Sequence, residues 1–253
     1  MTISVEIINQ LSDNYSYLIS GNKDNSSIII DPAESDKILN VLKEKKLNLN
    51  YIFITHHHSD HTSGVADLVR AYPEVKVFSP SELNSISVNV ISDSNKITTN
   101  LNEFKIIHTP GHTLDHVVLC DLKNNLLFVG DVLFRLGCGR VFEGTLEQMH
   151  SSLIKLLDLS DRMLVYCGHE YTLNNLKFLE HIFKKNKILE SVKKDIINDL
   201  NSKTRSIPFY LGDEKKCNPF LNQNCEMALE LRSKNNYSDF EFFKYLRQEK
   251  DSF

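Results

Sequence analysis

Short apolar segments separated by polar turns occupy the first two thirds of the chain. Runs of β-branched and aromatic residues between Asn, Asp, Gly and Ser turns are typical of strands. They predict strands at Ile3–Ile8, Tyr15–Ser20, Ser27–Asp31, Tyr51–Thr55, Val75–Phe78, Glu103–His108, His116–Leu122, Leu126–Val129 and Met163–Cys167. Apolar residues at helical spacing predict helices at Ser35–Lys46, Thr62–Tyr72 and Thr145–Leu157.

The pattern changes near Leu173, where the strand signals end. Helical periodicity predicts helices at Asn174–Lys185, Lys187–Leu200 and Asp239–Gln248. In the second of these helices, the apolar residues from Ile188 to Leu200 share one face. We therefore predict an α/β domain over residues 1–172 and a helical domain over residues 173–253.

Composition limits the classes of partner. The chain has 253 residues, 41% of them hydrophobic and 25% charged, which is typical of a globular protein that needs no metal to fold. Any bound metal is therefore expected to be catalytic. The formal net charge of −4 gives no general attraction to nucleic acid or to an anionic membrane. An anionic substrate would need a local basic patch.

The cysteines and the hydropathy indicate a compartment. The five cysteines include no C-x-x-C pair, so neither a disulfide framework nor a zinc knuckle is indicated. The first twenty residues lack the pattern of a secretory signal, and no apolar run is long enough to span a membrane. We expect a cytoplasmic protein with reduced thiols and with neither a membrane nor a nucleic-acid partner.

The segment from His56 to His61 contains an H-x-H-x-D-H pattern at the end of an apolar strand. Strand alternation places His56 and His58 on one side and His57 on the other. Where the strand breaks into a loop, Asp60 and His61 can turn toward a second position. Imidazole and carboxylate ligands suit zinc, iron or manganese. Four candidate ligands exceed the three that one catalytic zinc takes from a protein.

Three further candidate ligands follow glycines at the ends of predicted strands or turns: His112, Asp131 and His169. A carboxylate such as Asp131 can bridge two ions, so five histidines and two aspartates would fill two sites. A lone histidine at a strand end is usually only a hydrogen-bonded polar residue. The compact cluster is harder to explain by packing, because it would bury several polar groups together. For the remaining histidines we predict structural roles: His57, His108, His116, His150 and His181.

The cluster and the three later residues, in this order, resemble the metallo-β-lactamase superfamily. The resemblance implies an αββα four-layer sandwich with two metals at one edge, here followed by the helical domain. It also implies that one metal is held by His56, His58 and His112. The other would be held by Asp60, His61 and His169, and Asp131 would bridge the two.

Within that superfamily, four segments resemble the glyoxalase II family: Gly137–Thr145, Tyr166–Thr172, Asn218–Phe220 and Leu246–Phe253. The resemblance covers essentially the whole chain. It implies hydrolysis of a glutathione thioester, S-D-lactoylglutathione, to D-lactate and glutathione, with a hydroxide held between two metals as nucleophile and Asp60 as its orienting catalytic residue. The ions would be zinc, with iron or manganese as alternatives, and the chain would be a monomer.

The family also implies a glutathione-binding patch at Arg140, Tyr171, Arg247 and Lys250. Arginine grips carboxylates in a bidentate fork, and glutathione brings carboxylates, so the chemistry agrees. Without the resemblance, Arg247 and Lys250 would be read as an ordinary solvated helix face. Phe142 stands where some relatives have tyrosine, so a polar contact there is not expected.

Other functions remain open at this point. A mononuclear iron dioxygenase acting on glutathione persulfide shares the histidine-rich motif, and one iron per chain would favour it. A β-lactamase or a nuclease is disfavoured, because there is neither a secretion signal nor a broad basic surface. A metal-binding scaffold with a degenerate site is also disfavoured, since none of the seven ligands is replaced.

Overall fold

The computed structural model describes residues 3–22 and 24–253, and its chain forms two compact units. The N-terminal unit comprises Met1–His108 with Asp115–Asn124, and the C-terminal unit comprises Thr109–Leu114 with Asn125–Phe253. Within the described ranges, no helix is both long and apolar enough to cross a membrane.

The N-terminal unit contains nine strands and three helices among its described residues. In chain order they are β1 Ile3–Gln10, β2 Asn14–Gly21, β3 Ser26–Ile30, α1 Ser35–Glu44, β4 Asn48–Phe53, α2 Ser59–Thr62, α3 Val65–Ala71, β5 Lys76–Ser79, β6 Val88–Val90, β7 Lys96–Thr98, β8 Glu103–His108 and β9 Val117–Asp121. Strands β1 to β6 form one sheet in that order, antiparallel from β1 to β3 and parallel from β3 onward. Strands β7, β8 and β9 pair antiparallel.

Apolar burial explains why the parallel strands stay in place. Strand β4 carries Ile52, which is completely buried, and α1 packs Ile38 and Leu42 into the same core cluster. Burying such side chains contributes about 1.5–3 kcal/mol each. This core holds the carboxyl end of β4, where the histidine-rich segment begins.

The C-terminal unit is mainly helical. Its elements are β10 Leu126–Gly130, β11 Leu133–Phe134, β12 Gly137–Cys138, α4 Leu146–Leu157, β13 Leu164–Cys167, α5 Thr172–Ile182, α6 Lys187–Lys203, β14 Phe209–Tyr210, α7 Leu211–Cys217, α8 Glu226–Lys234 and α9 Asp239–Ser252. Strand β13 pairs parallel with β10 and antiparallel with β14, and β11 pairs with β12. Helices α4 and α9 each begin with a complete capping box, at Thr145 and Ser238.

Most predicted elements are present with ends shifted by a few residues, but two predictions were wrong. The helix predicted at Thr62–Tyr72 begins only at Val65, as α3, and Thr62 instead ends the separate helix α2. Between the two helices the Gly64 amide donates to the Pro32 carbonyl at 2.9 Å and not to a carbonyl of α2. Strand signals do not end at Leu173, since Phe209–Tyr210 extends the β13 edge. Two residues are too few to show an alternating pattern.

Candidate metal centre

In the N-terminal unit, four predicted ligands lie together where the chain leaves β4. His56 and His61 are fully buried, and their ring centroids lie 4.2 Å apart. His56 Nε2 lies 3.2 Å from His58 Nδ1, and His61 Nε2 lies 3.6 Å from an Asp60 carboxylate oxygen. Two buried imidazoles packed against a third imidazole and a partly exposed carboxylate are costly to keep together unless they bind a cation.

The structural reason predicted for this cluster was wrong, although its members do lie together. Strand β4 ends at Phe53, so His56 and His58 belong to a loop, and His58 precedes the short helix α2. Strand alternation therefore does not orient them. His57 nevertheless points elsewhere, since its Nδ1 lies 3.0 Å from a carboxylate oxygen of Asp115.

Asp31 supports this cluster from the end of β3. Its Oδ2 lies 3.0 Å from His61 Nδ1, and it accepts hydrogen bonds from the Thr55 amide at 2.8 Å and the Thr55 hydroxyl at 2.7 Å. A carboxylate on Nδ1 fixes the ring and makes Nε2 the ligand atom. Asp31 adopts φ +51° and is almost completely buried. Asp31 was not among the residues predicted from the sequence; its carboxylate directly after the buried run of β3 was the available signal.

Asn14 supports Asp60 in a similar way. Its amide nitrogen donates to Asp60 Oδ2 at 2.9 Å and to the Asp60 carbonyl at 3.3 Å. These two bonds fix both the side chain and the backbone of Asp60. Asn14 begins β2 and is 5% exposed, so a rigid strand holds it. In the sequence, Asn14 is one of several polar residues in a turn, and nothing there indicates this role.

In the C-terminal unit, three predicted ligands meet around one carboxylate. Asp131 Oδ2 lies 3.4 Å from His112 Nε2 and 3.2 Å from His169 Nε2. All three residues are nearly buried, with exposures of 4 to 6%. The Nδ1 of His112 donates to the Arg140 carbonyl at 2.9 Å, so its Nε2 is the atom presented to Asp131.

Close backbone packing shapes this group. A Cβ on Gly139 would lie only 1.9 Å from the carbonyl oxygen of Asp131, so no other residue fits at position 139. On the other side, the ring of Tyr171 stacks on His169 with centroids 4.7 Å apart and planes 6° apart. The close packing of Gly139 against Asp131 and the stacking of Tyr171 on His169 thus hold the ligand group in place.

Two of the predicted glutathione-binding residues contact Asp251, and a third, Lys250, belongs to the same helix, α9. Arg140 Nε lies 3.7 Å from an oxygen of Asp251, and Arg247 donates to the same oxygen at 2.9 Å. Arg140 is exposed, whereas Arg247 is only 1% exposed and also donates to the Cys138 carbonyl at 3.1 Å. Tyr171, the fourth residue, lies beside His169 instead.

Lys250 completes the basic group. It donates to Asn175 and lies over the ring of Phe178, 5.2 Å from its centroid. Burial, followed by the positive charge of Arg247, lowers the pKa of Lys250 to about 8. A negative charge bound beside this ammonium would raise the pKa of Lys250 again. The ammonium is thus suited to bind a carboxylate.

The donor set fits divalent cations. Imidazole nitrogens and carboxylate oxygens suit zinc, iron and manganese, and each unit supplies both types. His56 and His61 are buried, as are His112, Asp131 and His169, whereas Asp60 is partly exposed. The five cysteines are free and buried, and none belongs to either ligand group. The chain thus carries a histidine and aspartate set of the kind that binds divalent metal.

Comparison with known proteins supports this conclusion over the full length. Residues 11–87 and 87–169 match the metallo-beta-lactamase superfamily, and residues 170–253 match the family described as hydroxyacylglutathione hydrolase C-terminus. A hydroxyacylglutathione hydrolase of Pectobacterium atrosepticum is 38% identical over 247 residues, covering 96% of this chain and 97% of the relative. That of Pseudoalteromonas translucida is 39% identical over 260 residues, covering 99% and 100%.

Solved structures confirm the predicted fold class, α/β of the metallo-β-lactamase type with helices at the carboxyl end. ETHE1 from Myxococcus xanthus matches with a TM-score of 0.64 at 23% identity, covering 97% of this chain and 96% of that one. A metallo-beta-lactamase from Staphylococcus aureus matches with a TM-score of 0.66 at 21% identity, covering 98% and 71%. At this identity the two structures show the fold alone. By its sequence, the chain belongs to the hydroxyacylglutathione hydrolase family of the metallo-β-lactamase superfamily.

Proposed function

We propose that this protein is a thioester hydrolase that converts S-D-lactoylglutathione and water into D-lactate and glutathione, the second step of methylglyoxal detoxification. The observation that carries the proposal is the full-length similarity to hydroxyacylglutathione hydrolases at 37 to 40% identity, together with the match of residues 170–253 to the C-terminal part of that family. The second match matters because the superfamily fold alone hosts many reactions.

The proposed cofactor is a pair of divalent ions, zinc first and iron or manganese as alternatives. One ion would be held by His56, His58 and His112 and the other by Asp60, His61 and His169, with Asp131 as a ligand shared by the two. The closeness of Asp131 to the Nε2 atoms of His112 and His169, and the contact of His61 Nδ1 with the Asp31 carboxylate, support this assignment. When bound, such ions acidify water and polarise a carbonyl oxygen.

The residues of the chain position the reactants around those ions. Asp60, fixed by Asn14, orients the attacking water toward the thioester carbonyl carbon. Attack forms the new C–O bond and breaks the C–S bond, and the sulfur leaves as the glutathione thiolate. One proton of the attacking water goes to that thiolate, and the other is released to solvent as D-lactate ionises. Asp31 and the Arg140 carbonyl hold the rings of His61 and His112 so that their Nε2 atoms keep one direction throughout.

Glutathione is proposed to bind at Arg140, Tyr171, Arg247 and Lys250. Arg140 and Arg247 meet at Asp251, and the charges of both arginines act on Lys250. These three cations supply the local basic patch that an acidic chain needs for an anionic substrate, which supports this site. We propose a catalytic domain at residues 1–172 and a substrate-binding domain at 173–253. The change between family matches at 169 and 170 supports that division.

We further propose a monomeric, cytoplasmic enzyme with no nucleic-acid or membrane partner. The free cysteines and the net charge of −4 support this location and partner range. An alternative function is the mononuclear iron dioxygenase of glutathione persulfide, because the histidine-rich motif from His56 to His61 does not by itself exclude it.

The test is loss of the S-D-lactoylglutathione thioester with purified, metal-replete protein, with and without a chelator. Chelator-sensitive hydrolysis with two metals per chain supports the proposal. One iron per chain, with oxygen uptake on glutathione persulfide and no thioester hydrolysis, would replace it with the dioxygenase.

A further inference from the structure

Residues 134–140 of the C-terminal unit comprise the end of β11, a turn, the short strand β12, Gly139 and Arg140. We call this segment the 134–140 loop. Leu136, at its turn, is completely buried and adopts φ +61°, a conformation that non-glycine residues rarely take without support. The loop contains Gly139, which packs against Asp131, and ends at Arg140, whose carbonyl accepts from His112. Its position therefore affects both the predicted substrate patch and the C-terminal ligand group.

Side chains from the helical part of the unit bond the backbone of this loop. Asn175 donates to the Arg135 carbonyl at 2.9 Å, and Arg247 donates to the Cys138 carbonyl at 3.1 Å. Asn218 donates to the Gly137 carbonyl at 3.1 Å and to the Phe134 carbonyl at 3.3 Å. The donors are nearly or completely buried, so these bonds are not exchanged for bonds to water.

Glu214, on α7, is the side chain that accepts a hydrogen bond from the backbone of this loop. One of its carboxylate oxygens accepts from the Leu136 amide at 2.8 Å and from the Asn218 side-chain amide at 2.9 Å. The residue is 2% exposed. Glu214 thus holds the strained residue of the loop directly and also orients the amide that bonds two other loop carbonyls. Hydrogen bonds to an ionised acceptor are about twice as strong as neutral ones.

The charge of Glu214 changes near neutral pH. Burial raises its pKa to about 7, and the Leu136 amide and the Arg135 guanidinium limit the rise. The other titratable groups that act on it are Asp213, which is exposed and raises the pKa further, and the thiols of Cys217 and Cys225. Burial raises the pKa of both thiols, so they remain neutral when Glu214 titrates.

We propose that Glu214 is a positioning residue that fixes the 134–140 loop, and thereby Arg140, for binding of the glutathione thioester. This inference rests on the proposed function. Glu214 does not touch the substrate; it acts through Leu136 and Asn218. The ionised carboxylate holds the loop more firmly than the protonated one, so substrate binding tightens as the pH rises from 6 to 8.

The kinetic test compares Glu214→Ala, Glu214→Gln and the wild type with S-D-lactoylglutathione. At pH 8, Glu214→Ala is expected to raise KM about tenfold, because two buried donors lose their charged acceptor, with a smaller change in kcat. Glu214→Gln keeps an acceptor oxygen and lacks the charge. The KM of Glu214→Gln at pH 8 should lie between those of the wild type and Glu214→Ala. It should not change from pH 6 to 8, whereas the wild-type KM should fall over this range.

The matched control is Asp213→Asn, which removes one negative charge from the same helix at an exposed position that does not bond the loop. Its KM at pH 8 should equal that of the wild type. A Glu214→Ala protein with wild-type metal content and an unchanged KM would overturn the proposal, as would a Glu214→Gln protein whose KM keeps the wild-type pH dependence.

A second readout needs no activity. Hydrogen exchange of the peptide covering residues 133–140 is measured in the full-length, metal-replete proteins at one pH. Exchange should be at least several-fold faster in Glu214→Ala and intermediate in Glu214→Gln, with distant peptides unchanged. Unchanged exchange in the loop would overturn the positioning role. If the wild type hydrolyses no thioester, the proposed function fails, and exchange still decides whether Glu214 fixes the loop.

Discussion

The histidine cluster at the end of β4 and the 134–140 loop are built in opposite ways. The cluster places four candidate ligands within six residues, so its chemistry is written in one short segment. The loop contributes mostly backbone groups, and the side chains that fix them come from 40 to 109 residues farther along the chain. Local sequence therefore identifies the residues that do chemistry more readily than those that hold the chemistry in place.

The largest expected effect lies in the cluster. Asp60→Ala removes a proposed ligand that also orients the water, so kcat should fall about a thousandfold, equivalent to roughly 4 kcal/mol of barrier. The measurement is steady-state hydrolysis with metal content determined on the same sample. Asp67→Ala, an exposed aspartate of the same unit, is the control. Near-normal turnover of metal-replete Asp60→Ala would contradict the two-metal assignment.

The next effect belongs to the support of the loop and concerns stability. The pKa of Glu214 is 4.5 in an ordinary environment and about 7 when folded. Between these values the folded protein retains a proton that the unfolded chain has lost, so raising the pH favours unfolding. The free energy of unfolding should fall by on the order of 3 kcal/mol across this window.

Glu214→Gln cannot titrate and should lose that dependence. Urea unfolding at a series of pH values from 5 to 8 measures the free energy of unfolding of both proteins. The wild type should lose stability relative to the variant as the pH rises, and this difference should level off above pH 7. If Glu214→Gln is more stable than the wild type at pH 8 and yet binds substrate more weakly, its weaker binding cannot be due to a loss of overall stability. Parallel pH curves for the two proteins would disprove the assigned titration.

A support residue of the cluster comes next. Asp31→Asn weakens the hold on His61 and should lower metal affinity about 10–100-fold, with kcat recovering at saturating metal. Competition with a chromophoric chelator measures the affinity. Asp115→Asn, which contacts His57 outside the predicted ligand set, should leave it unchanged. Equal affinities of Asp31→Asn and wild type would mean that another group fixes His61.

The smallest effect distinguishes two arginines of the basic patch. Arg140→Ala removes an exposed side chain, so KM should rise about fivefold to tenfold with no change in melting temperature. Arg247→Ala should raise KM similarly and also destabilise the fold by about 2 kcal/mol, because the Cys138 carbonyl loses its buried donor. Thermal unfolding separates the two. A fall in kcat alone for either variant would contradict a binding role.

The prediction of the fold succeeded where burial imposes a regular pattern. Long runs such as β2 and β8 and the amphipathic α6 were predicted with small errors at their ends. Elements of two or three residues, such as β11, β12 and β14, were missed because they are too short to be periodic. Helices α7 and α8 were missed as well; most of their surface is polar, and tertiary contacts rather than their own pattern stabilise them.

The sequence by itself determined the kind of chemistry. Closely spaced imidazole and carboxylate groups predict a divalent metal site whatever the local backbone conformation is. Full-length sequence similarity assigns the family. The tertiary structure decided which groups hold that site. Asp31, Asn14 and Glu214 are ordinary polar residues in the sequence, and only the folded chain brings them within 3 Å of His61, Asp60 and Leu136. A hydrogen bond depends on distance and direction, and residues far apart in sequence obtain these only through folding.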